Sequence, residues 1–262
     1  MTKRILIGGA GFAGLWSALG AARLLDQAGQ TDGSIEIAML APTPFLHLRP
    51  RFYEVEPAGM ATPLLPLLAA VGVRYIRGQV EEIHARERSV EAIDPEENRF
   101  TLSFDSFVLA TGSRLHRPEL PGLREHAFSI DQLDEACALA SHLDRLAHLP
   151  NTPSRNTVVA VGGGFTGIEI ATELPGRLRA AWGPAAINVI LIEHAGAGGP
   201  ELGAGPRPVI EKALRELGVT VRVNTAAAAI DAAGLSTSTG AHRGSDRDLD
   251  RRYAGEFFDR AN

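Results

Sequence analysis

Two glycine-rich turns constrain the fold of this chain more than any other feature of its sequence. They are Gly9-Ala10-Gly11-Phe12-Ala13-Gly14 and Gly162-Gly163-Gly164-Phe165-Thr166-Gly167. Each follows a short apolar run and precedes apolar residues at helical spacing. In such a turn the first glycine permits a tight bend, the second lets the backbone approach a ligand phosphate, and the third lets helix and strand pack closely. The sequence therefore predicts two strand-turn-helix units about 150 residues apart.

The first turn belongs to a predicted unit of strand 4–7, helix 11–28 and strand 34–40. The amino terminus of its helix is suited to bind the pyrophosphate of a dinucleotide. An acidic residue ordinarily ends the second strand and accepts hydrogen bonds from the adenosine ribose. Ala41 occupies that position. The adenosine end must then be held by other groups, such as Arg49, Arg51 or backbone amides.

The second turn lies between predicted strands 157–161 and 188–192, with a helix from Phe165 to Leu174. Here the acid is present, because Glu193 directly follows the second strand. A carboxylate at this position accepts hydrogen bonds from both ribose hydroxyls and repels the 2′-phosphate of NADP. The second unit is therefore predicted to bind NADH.

Composition excludes several other classes of protein. The 262 residues suffice for one large or two ordinary cores, and a net charge of -5 without a basic block argues against a nucleic-acid partner. Cys137 is the single cysteine and is read as a small buried thiol. No metal site is predicted, and no run approaches the roughly 18 apolar residues of a membrane helix. The chain is expected to be cytoplasmic.

Three further motifs accompany the glycine turns. They are Leu-Arg-Pro-Arg-Phe-Tyr-Glu at 48–54, Phe-Val-Leu-Ala-Thr-Gly-Ser at 107–113 and Leu-Pro-Gly at 120–122. Together, over roughly residues 4 to 240, the chain resembles the FAD-dependent pyridine nucleotide-disulfide oxidoreductases. The resemblance is closest to the type II NADH dehydrogenases and related NADH:acceptor oxidoreductases. Thr111-Gly112 matches a hallmark of these proteins, a turn at which the chain leaves the FAD domain.

The resemblance implies an α/β fold with two Rossmann-like dinucleotide-binding domains, of which the FAD domain is incomplete. Residues 1–115 would form the first part of the FAD-binding domain and residues 116–240 the NADH-binding domain. Residues 241–262 are expected to be an aberrant or disordered tail, because they form a charged run without a strand pattern.

A frameshift after about residue 240 would explain the tail. Suitable codons for residues 244–261, read one base later, can encode Ala-Ala-Thr-Val-Ile-Trp-Thr-Ala-Gly-Met-Arg-Ala-Asn-Phe-Leu-Thr-Ala-Gln. The segment Val-Ile-Trp-Thr-Ala-Gly within it is similar to the next strand of these reductases. The alternative is an ordinary solvated tail.

The resemblance also implies site residues. FAD would contact Gly9, Gly11, Phe12, Ala13, Gly14, Arg49, Arg51, Val80, Ala110, Thr111 and Gly112. NADH would contact Gly163, Gly164, Phe165, Thr166, Gly167 and Glu193. Glu169 corresponds to a glutamate near the nicotinamide, where it would position the ring. A plain carboxylate on the helix surface is the alternative for Glu169, and both interpretations stay open.

The implied function is transfer of a hydride from NADH to FAD, followed by transfer of electrons to a quinone or another small-molecule acceptor. A single cysteine excludes the redox cysteine pair of the disulfide reductases. Two alternatives remain: a truncated, inactive remnant that binds NADH only, and a regulatory module that senses NADH. A homodimer and peripheral membrane association of a full-length parent also stay open.

Overall fold

The computed structural model describes residues 2–30, 32–183, 186–239, 251–253 and 256–259. The chain divides into two compact units, of which the first comprises residues 1–48 and 61–113. The second comprises residues 49–60 and 114–262. Both contain parallel sheets with helices, so the predicted α/β class is confirmed.

The first unit is built on a four-stranded parallel sheet in the order β5-β2-β1-β9, with an antiparallel sheet β6-β7-β8 and a short pair β3-β4. Its elements are β1 Lys3–Gly8, α1 Phe12–Gln27, β2 Ile35–Ala41, β3 Phe45–His47, β4 Ala61–Pro63, α2 Leu65–Ala70, β5 Val73–Arg77, β6 Gln79–His84, β7 Ser89–Ile93, β8 Arg99–Ser103 and β9 Ser106–Leu109.

Strand β1 is buried on both faces because it lies between two layers. Ile7 packs with Leu15 and Ala18 of α1, whereas Leu6 packs with Val90 and Ala92 of β7. A parallel strand covered on both faces is apolar where it is covered, as Ile5, Leu6 and Ile7 are, whereas Lys3 and Arg4 begin the strand at its less buried end. The first glycine turn therefore follows directly on the buried part of the strand.

Strand β6 contains a register shift that the sequence analysis missed. The alternating pattern of residues 73–83 predicts a single strand, but these residues form the two strands β5 and β6, and the pairing of β6 with β7 shifts between Val80 and Glu82. Beyond the shift, Ile83 pairs with the buried Val90 and Glu82 pairs with Glu91. The bulge keeps both Val80 and Ile83 on the apolar face, although they are three residues apart.

The second unit contains a five-stranded parallel sheet in the order β10-β17-β11-β12-β13 and an antiparallel sheet β14-β15-β16. Its elements are α3 Leu123–His126, β10 Ala127–Phe128, α4 Leu133–Leu146, β11 Thr157–Val161, α5 Phe165–Trp182, β12 Asn188–Ile192, α6 Arg207–Leu217, β13 Val219–Arg222, β14 Thr225–Asp231, β15 Gly234–Thr239, β16 Arg251–Tyr253 and β17 Glu256–Asp259. Short 3-10 turns occur at Arg49–Arg51, Pro57–Met60 and Pro200–Leu202.

Helix α5 continues to Trp182, past the predicted end at Leu174 and through Pro175. Proline removes one backbone hydrogen bond. However, Leu174, Leu178 and Trp182 recur every four residues and are all buried in the core of this unit, which stabilises the extra turns. None of the helices in the described part of the chain, α5 included, is both long enough and apolar enough to traverse a bilayer.

Residues 251–253 and 256–259 form the strands β16 and β17, and the expectation of an aberrant or disordered tail stays a prediction. Strand β17 pairs in parallel with β11, and β16 pairs with β15. The reason is physical: the edge of β11 offers unpaired backbone groups that a further strand satisfies. Residues 240–250, 254–255 and 260–262 lie outside the described residues, and the frameshift stays a hypothesis.

We expect Leu174→Ala to lower the free energy of unfolding by about 2–5 kcal/mol. The Leu174 side chain is fully buried, and its removal leaves a cavity in the core. Val209→Ala on α6 is the control, since Val209 is 71% exposed and its truncation should change stability by less than about 0.5 kcal/mol. Urea denaturation monitored by circular dichroism measures both variants. Equal effects would contradict the assignment of Leu174 to the core.

Candidate dinucleotide sites

The two glycine turns adopt nearly the same backbone conformation. Gly9 and Gly162 have φ of 120° and 95°, a region that glycine enters at little cost. Gly11 has φ of -74° and ψ of -175°, and Gly164 has φ of -71° and ψ of -175°. The two turns, which repeat the same glycine spacing in the sequence, thus also repeat the same backbone conformation.

The third glycine of each turn is required by close contact with the first. A Cβ atom on Gly14 would lie 2.0 Å from the carbonyl oxygen of Gly9. A Cβ atom on Gly167 would lie 1.8 Å from the carbonyl oxygen of Gly162. Both distances are far inside van der Waals contact. Any side chain here would therefore push the helix away from its strand.

The space in front of α1 fits a phosphate group. Gly11 ends the turn, and a Cβ atom placed on it would meet no atom within 4 Å. The helix has no side-chain cap, and Phe12 and Ala13 of its first turn are exposed. The first amides of a helix lack partners within the helix, and their positive end favours anions. Open space, free donors and dipole direction together suit a pyrophosphate.

Other residues predicted for the first site lie beside this turn. The amide of Ala110 donates to the carbonyl of Gly8 at 2.8 Å, and a Cβ atom on Gly9 would lie 2.1 Å from the carbonyl oxygen of Ala110 and 3.0 Å from the amide nitrogen of Thr111. Val80 Cγ2 lies 3.2 Å from the corresponding position at Gly8. The structure therefore brings Val80, Ala110 and Thr111 together with the glycines. Their contact with FAD stays a prediction.

Ala41 ends β2 without offering a side-chain acceptor. It is 2% exposed, and its carbonyl accepts hydrogen bonds from the Tyr75 hydroxyl at 2.7 Å and from the amide of Gly78 at 3.1 Å. The missing carboxylate is not replaced at this point of the strand. The adenosine ribose of a ligand must be held elsewhere.

Arg49 and Arg51, proposed for that task, have partners within the second unit. Arg49 Nη2 donates to Asp131 Oδ1 at 2.5 Å, and its Nε donates to the carbonyl of Asp131 at 3.2 Å. Arg51 forms an ion pair with Glu54. These contacts explain why residues 49–60 group with the second unit, whereas the sequence analysis placed them in the first domain. A contact of either arginine with FAD stays a prediction.

Asp131 accepts hydrogen bonds from several residues, a role that was not predicted from the sequence. Besides Arg49, its carboxylate accepts hydrogen bonds from the Leu115 amide at 3.1 Å and from Gln132 Nε2 at 2.6 Å. Burial raises the pKa of Asp131, but hydrogen bonds from Gln132 and Leu115 and the charge of Arg49 outweigh burial and hold it below its ordinary value. The sequence alone shows only an acidic residue shortly before α4.

Glu193 secures the second glycine turn. Its side chain is 1% exposed, Oε2 accepts the amide of Gly163 at 2.5 Å, and Oε1 accepts the amide of Ala195 at 2.7 Å. His194 Nδ1 lies 2.8 Å from the same Oε1. A carboxylate offers about four acceptor positions. Acceptor capacity therefore remains for a ribose hydroxyl, and the predicted contact with both hydroxyls stays a prediction.

The two turns differ in the residue pair at the end of the second strand. A Cβ atom on Gly163 would lie 3.0 Å from Glu193 Cβ, so a glycine is favoured opposite the glutamate. In the first turn, Ala10 shares a buried cluster with Ala41. One site thus pairs alanine with alanine, and the other pairs glycine with glutamate.

Glu169 lies on the side of α5 that faces the segment 49–60. It is half-buried, and the pKa of Tyr53 is raised by burial first and then by the charges of Glu169, Glu54 and Glu173. A cavity of 530 Å³ adjoins Tyr53, lined also by Glu54, Val55, Glu56, Met60 and Glu173. Glu169 is therefore close to a shaped acidic pocket, although neither interpretation of this residue has been tested.

Arg177 completes a ladder with Glu169 and Glu173 at four-residue spacing along α5. It is 8% exposed, and its Nη1 donates to the carbonyl of Glu54 at 3.4 Å. Burial lowers the pKa of Arg177, and the charges of Asp144 and Glu173 partly oppose this. Arg177 thus ties α5 to the segment 49–60. The four-residue spacing of two glutamates and an arginine could have indicated from the sequence that these side chains lie on one face of the helix.

Comparison with known proteins identifies the family. The family model described as pyridine nucleotide-disulphide oxidoreductase matches residues 3–250. The chain belongs to this family. Two NADH dehydrogenase-like proteins of Mycobacterium tuberculosis, from strains CDC 1551 and H37Rv, are each 40% identical to this oxidoreductase over 240 residues, 90% of its length. The oxidoreductase spans only 59% of the length of these relatives.

Two other similarities agree with the family. A demethylphylloquinone reductase of Synechocystis is 31% identical over 180 residues, which cover 67% of this oxidoreductase and 43% of the relative. The structure of NDH2 from Plasmodium falciparum in complex with NADH superposes with a TM-score of 0.82 at 15% sequence identity. The match covers 100% of this chain and 55% of the NDH2 chain, which shows a shared fold. Within this family, the chain is thus similar in sequence to NADH dehydrogenase-like proteins and similar in fold to NDH2.

We expect Gly14→Ala to lower the free energy of unfolding by about 1–3 kcal/mol or more, because its Cβ atom would overlap the carbonyl of Gly9. Gly20→Ala in the same helix is the matched control. Its Cβ atom would meet nothing within 4 Å, so it should stabilise by about 0.5–1 kcal/mol. Thermal denaturation compares the two. A neutral Gly14→Ala would contradict the packing described for this turn.

We expect Asp131→Asn to destabilise the protein at pH 7 by about 1–3 kcal/mol, because it removes a charged acceptor of several hydrogen bonds. The folded pKa of Asp131 lies below that of the unfolded chain. Its contribution is therefore complete above the ordinary aspartate value of about 3.9 and is lost as the pH falls through the folded value. Denaturation at a series of pH values should show a shallower acid loss in the variant. Parallel curves would contradict this role.

Proposed function

We propose that this oxidoreductase binds FAD at its first glycine turn and NADH at its second, and that it passes a hydride from NADH to FAD. The observation that carries the proposal is the pair of turns, which share one conformation but end opposite different residues, Ala41 and Glu193. Two phosphate-binding turns with different adenosine ends suit two different dinucleotides.

In the first unit, the amides at the start of α1 would bind the pyrophosphate of FAD. Gly11 leaves room for it, and Gly9 and Gly14 hold the helix against its strand. Val80, Ala110 and Thr111 line the same turn and would contact the cofactor. Phe12, Ala13 and Gly112 complete the residues assigned to FAD, together with Arg49 and Arg51 if these exchange their present partners.

In the second unit, the amino terminus of α5 would bind the pyrophosphate of NADH through the turn Gly163 to Gly167. Glu193 accepts the amide of Gly163 in this turn and the amide of Ala195, and it places a carboxylate at the end of β12. A buried negative charge there disfavours a 2′-phosphate. Glu169 would position the nicotinamide ring, since it lies in the second turn of the same helix.

Bound FAD supplies the two-electron acceptor for the hydride of NADH, and the electrons then pass to a quinone or another small-molecule acceptor. The protein contributes binding and orientation. Cys137 is the single cysteine of the sequence given, so this chain supplies no redox cysteine pair. The resemblance to a demethylphylloquinone reductase supports a quinone as the acceptor.

An inactive protein that binds only NADH is the second candidate function. Each unit has its own buried core, so the second turn can bind NADH whether or not the first retains FAD. A regulatory NADH sensor would also bind without turnover, and would change its partner or oligomeric state. A cytoplasmic location, a homodimer and peripheral membrane association of a longer parent remain predictions of the sequence.

The visible absorption spectrum of the purified protein, followed by anaerobic addition of NADH, tests the proposal. We expect a bound flavin whose absorption band bleaches. Gly11→Ala should lose the flavin, because its Cβ atom would occupy the phosphate space. It should cost no more than about 1 kcal/mol of stability, since it meets no protein atom.

The Gly20→Ala variant should keep its flavin, because its Cβ atom also meets no neighbour but lies away from the turn. NADH fluorescence titration should show unchanged binding in both variants. A colourless wild-type protein that binds NADH would favour the second candidate. A protein that binds neither nucleotide would overturn both.

A further inference from the structure

A group of side chains that could bind a metal ion lies on the antiparallel sheet of the first unit. Glu82 and His84 are two residues apart on β6, and Glu91 is paired with Glu82 on β7. Residues two apart on a strand, and residues directly paired across strands, share a face. All three side chains therefore project from the same face of the sheet.

The bulge in β6 decides which face this is. Val80 pairs with Ala92 before the register shift, and Ile83 pairs with Val90 after it. Val90 and Ala92 belong to the buried core of the unit. The face that carries Glu82, His84 and Glu91 is therefore the outer one, and their side chains are 67%, 31% and 42% exposed.

The charges in this group favour a cation. Like charges placed directly opposite each other on neighbouring strands are destabilising. Glu82 and Glu91 are such a pair. His84 lies between them, with Nε2 3.2 Å from Glu91 Oε1 and Nδ1 3.8 Å from Glu82 Oε1. The group therefore combines two carboxylates with one imidazole, a donor that an acidic cluster alone lacks.

We propose that Glu82, His84 and Glu91 bind a divalent transition-metal cation, with Zn²⁺ as the preferred ion. One ligand atom from each residue lies within 4.8 Å of the others. Ligands about 2.1 Å from a tetrahedral Zn²⁺ lie about 3.4 Å apart, so small rotations of the exposed glutamates close the site. Water completes the coordination. Imidazole with carboxylate suits Zn²⁺ better than Mg²⁺, which prefers oxygen ligands alone.

This site was not expected from the sequence, which predicts no metal. The residues are separated by a hairpin, and only the shifted register of β6 against β7 opposes Glu91 to Glu82. The cation would neutralise their repulsion and join the two strands. Because β6 also carries Val80, which lies beside Gly8, the bound cation would stiffen a strand next to the first glycine turn.

Isothermal titration calorimetry of the purified, tag-free protein with ZnCl₂ tests the proposal. We expect one Zn²⁺ per chain at this site and a rise in melting temperature on binding. His84→Ala and Glu91→Gln should each lower the affinity by about tenfold or more, because each removes one of three ligands. Glu87→Gln, an exposed acid in the same hairpin outside the group, should bind like the wild type.

Circular dichroism checks that each variant is folded, and Glu91→Gln decides the outcome if His84→Ala fails to fold. Isotherms that are the same for the wild type and for Glu91→Gln would overturn the proposal. So would Mg²⁺ binding as tight as Zn²⁺ binding, since that would indicate a general acidic surface. These outcomes do not depend on flavin or NADH binding, so the proposed function can fail while the metal site stands.

Discussion

The close approach of a helix to the strand before it is the constraint on which the rest of this structure depends. At both turns the third glycine sits where even a methyl group would overlap the carbonyl oxygen of the first. This contact fixes the amino termini of α1 and α5 at the carboxyl edges of their sheets. A helix amino terminus held rigidly there presents unpaired amides and a positive dipole end to one place. Val80, Ala110, Thr111 and Glu193, which are predicted to contact a nucleotide, lie beside one of these two points.

The two turns share one backbone conformation but differ in the size and charge of the side chains at the end of the neighbouring strand. In the second unit a glutamate occupies the end of β12, and the glycine opposite it supplies the space. In the first unit two alanines fill the equivalent region, and the carbonyl of Ala41 is bonded to Tyr75. The Glu193 side chain is nearly inaccessible to solvent, and its carboxylate accepts the amides of Gly163 and Ala195. The residue proposed to select the nucleotide therefore also stabilises the glycine turn beside it.

Charged side chains organise the second unit around the short segment 49–60. Arg49 is held by Asp131, and Arg177 is buried with a donor directed at the carbonyl of Glu54. A buried guanidinium is tolerated only when acids and carbonyls compensate it, and here Asp144 and Glu173 do so. The acidic pocket at Tyr53 is formed by this arrangement. The Glu169 carboxylate therefore lies close to this pocket and to Tyr53.

The sequence by itself determined the two turns, the α/β class and the limits of several strands, because glycine spacing and apolar periodicity are local and directly readable. Strands β11 and β12 begin and end at the predicted residues. Only the tertiary structure decided the bulge in β6, the passage of α5 through Pro175, the pairing of β17 with β11, and the partners of Arg49 and Arg177. Each of these depends on burial or on a contact between residues far apart in the chain. Such contacts leave no periodic trace, because their free energy arises only when the chain has folded.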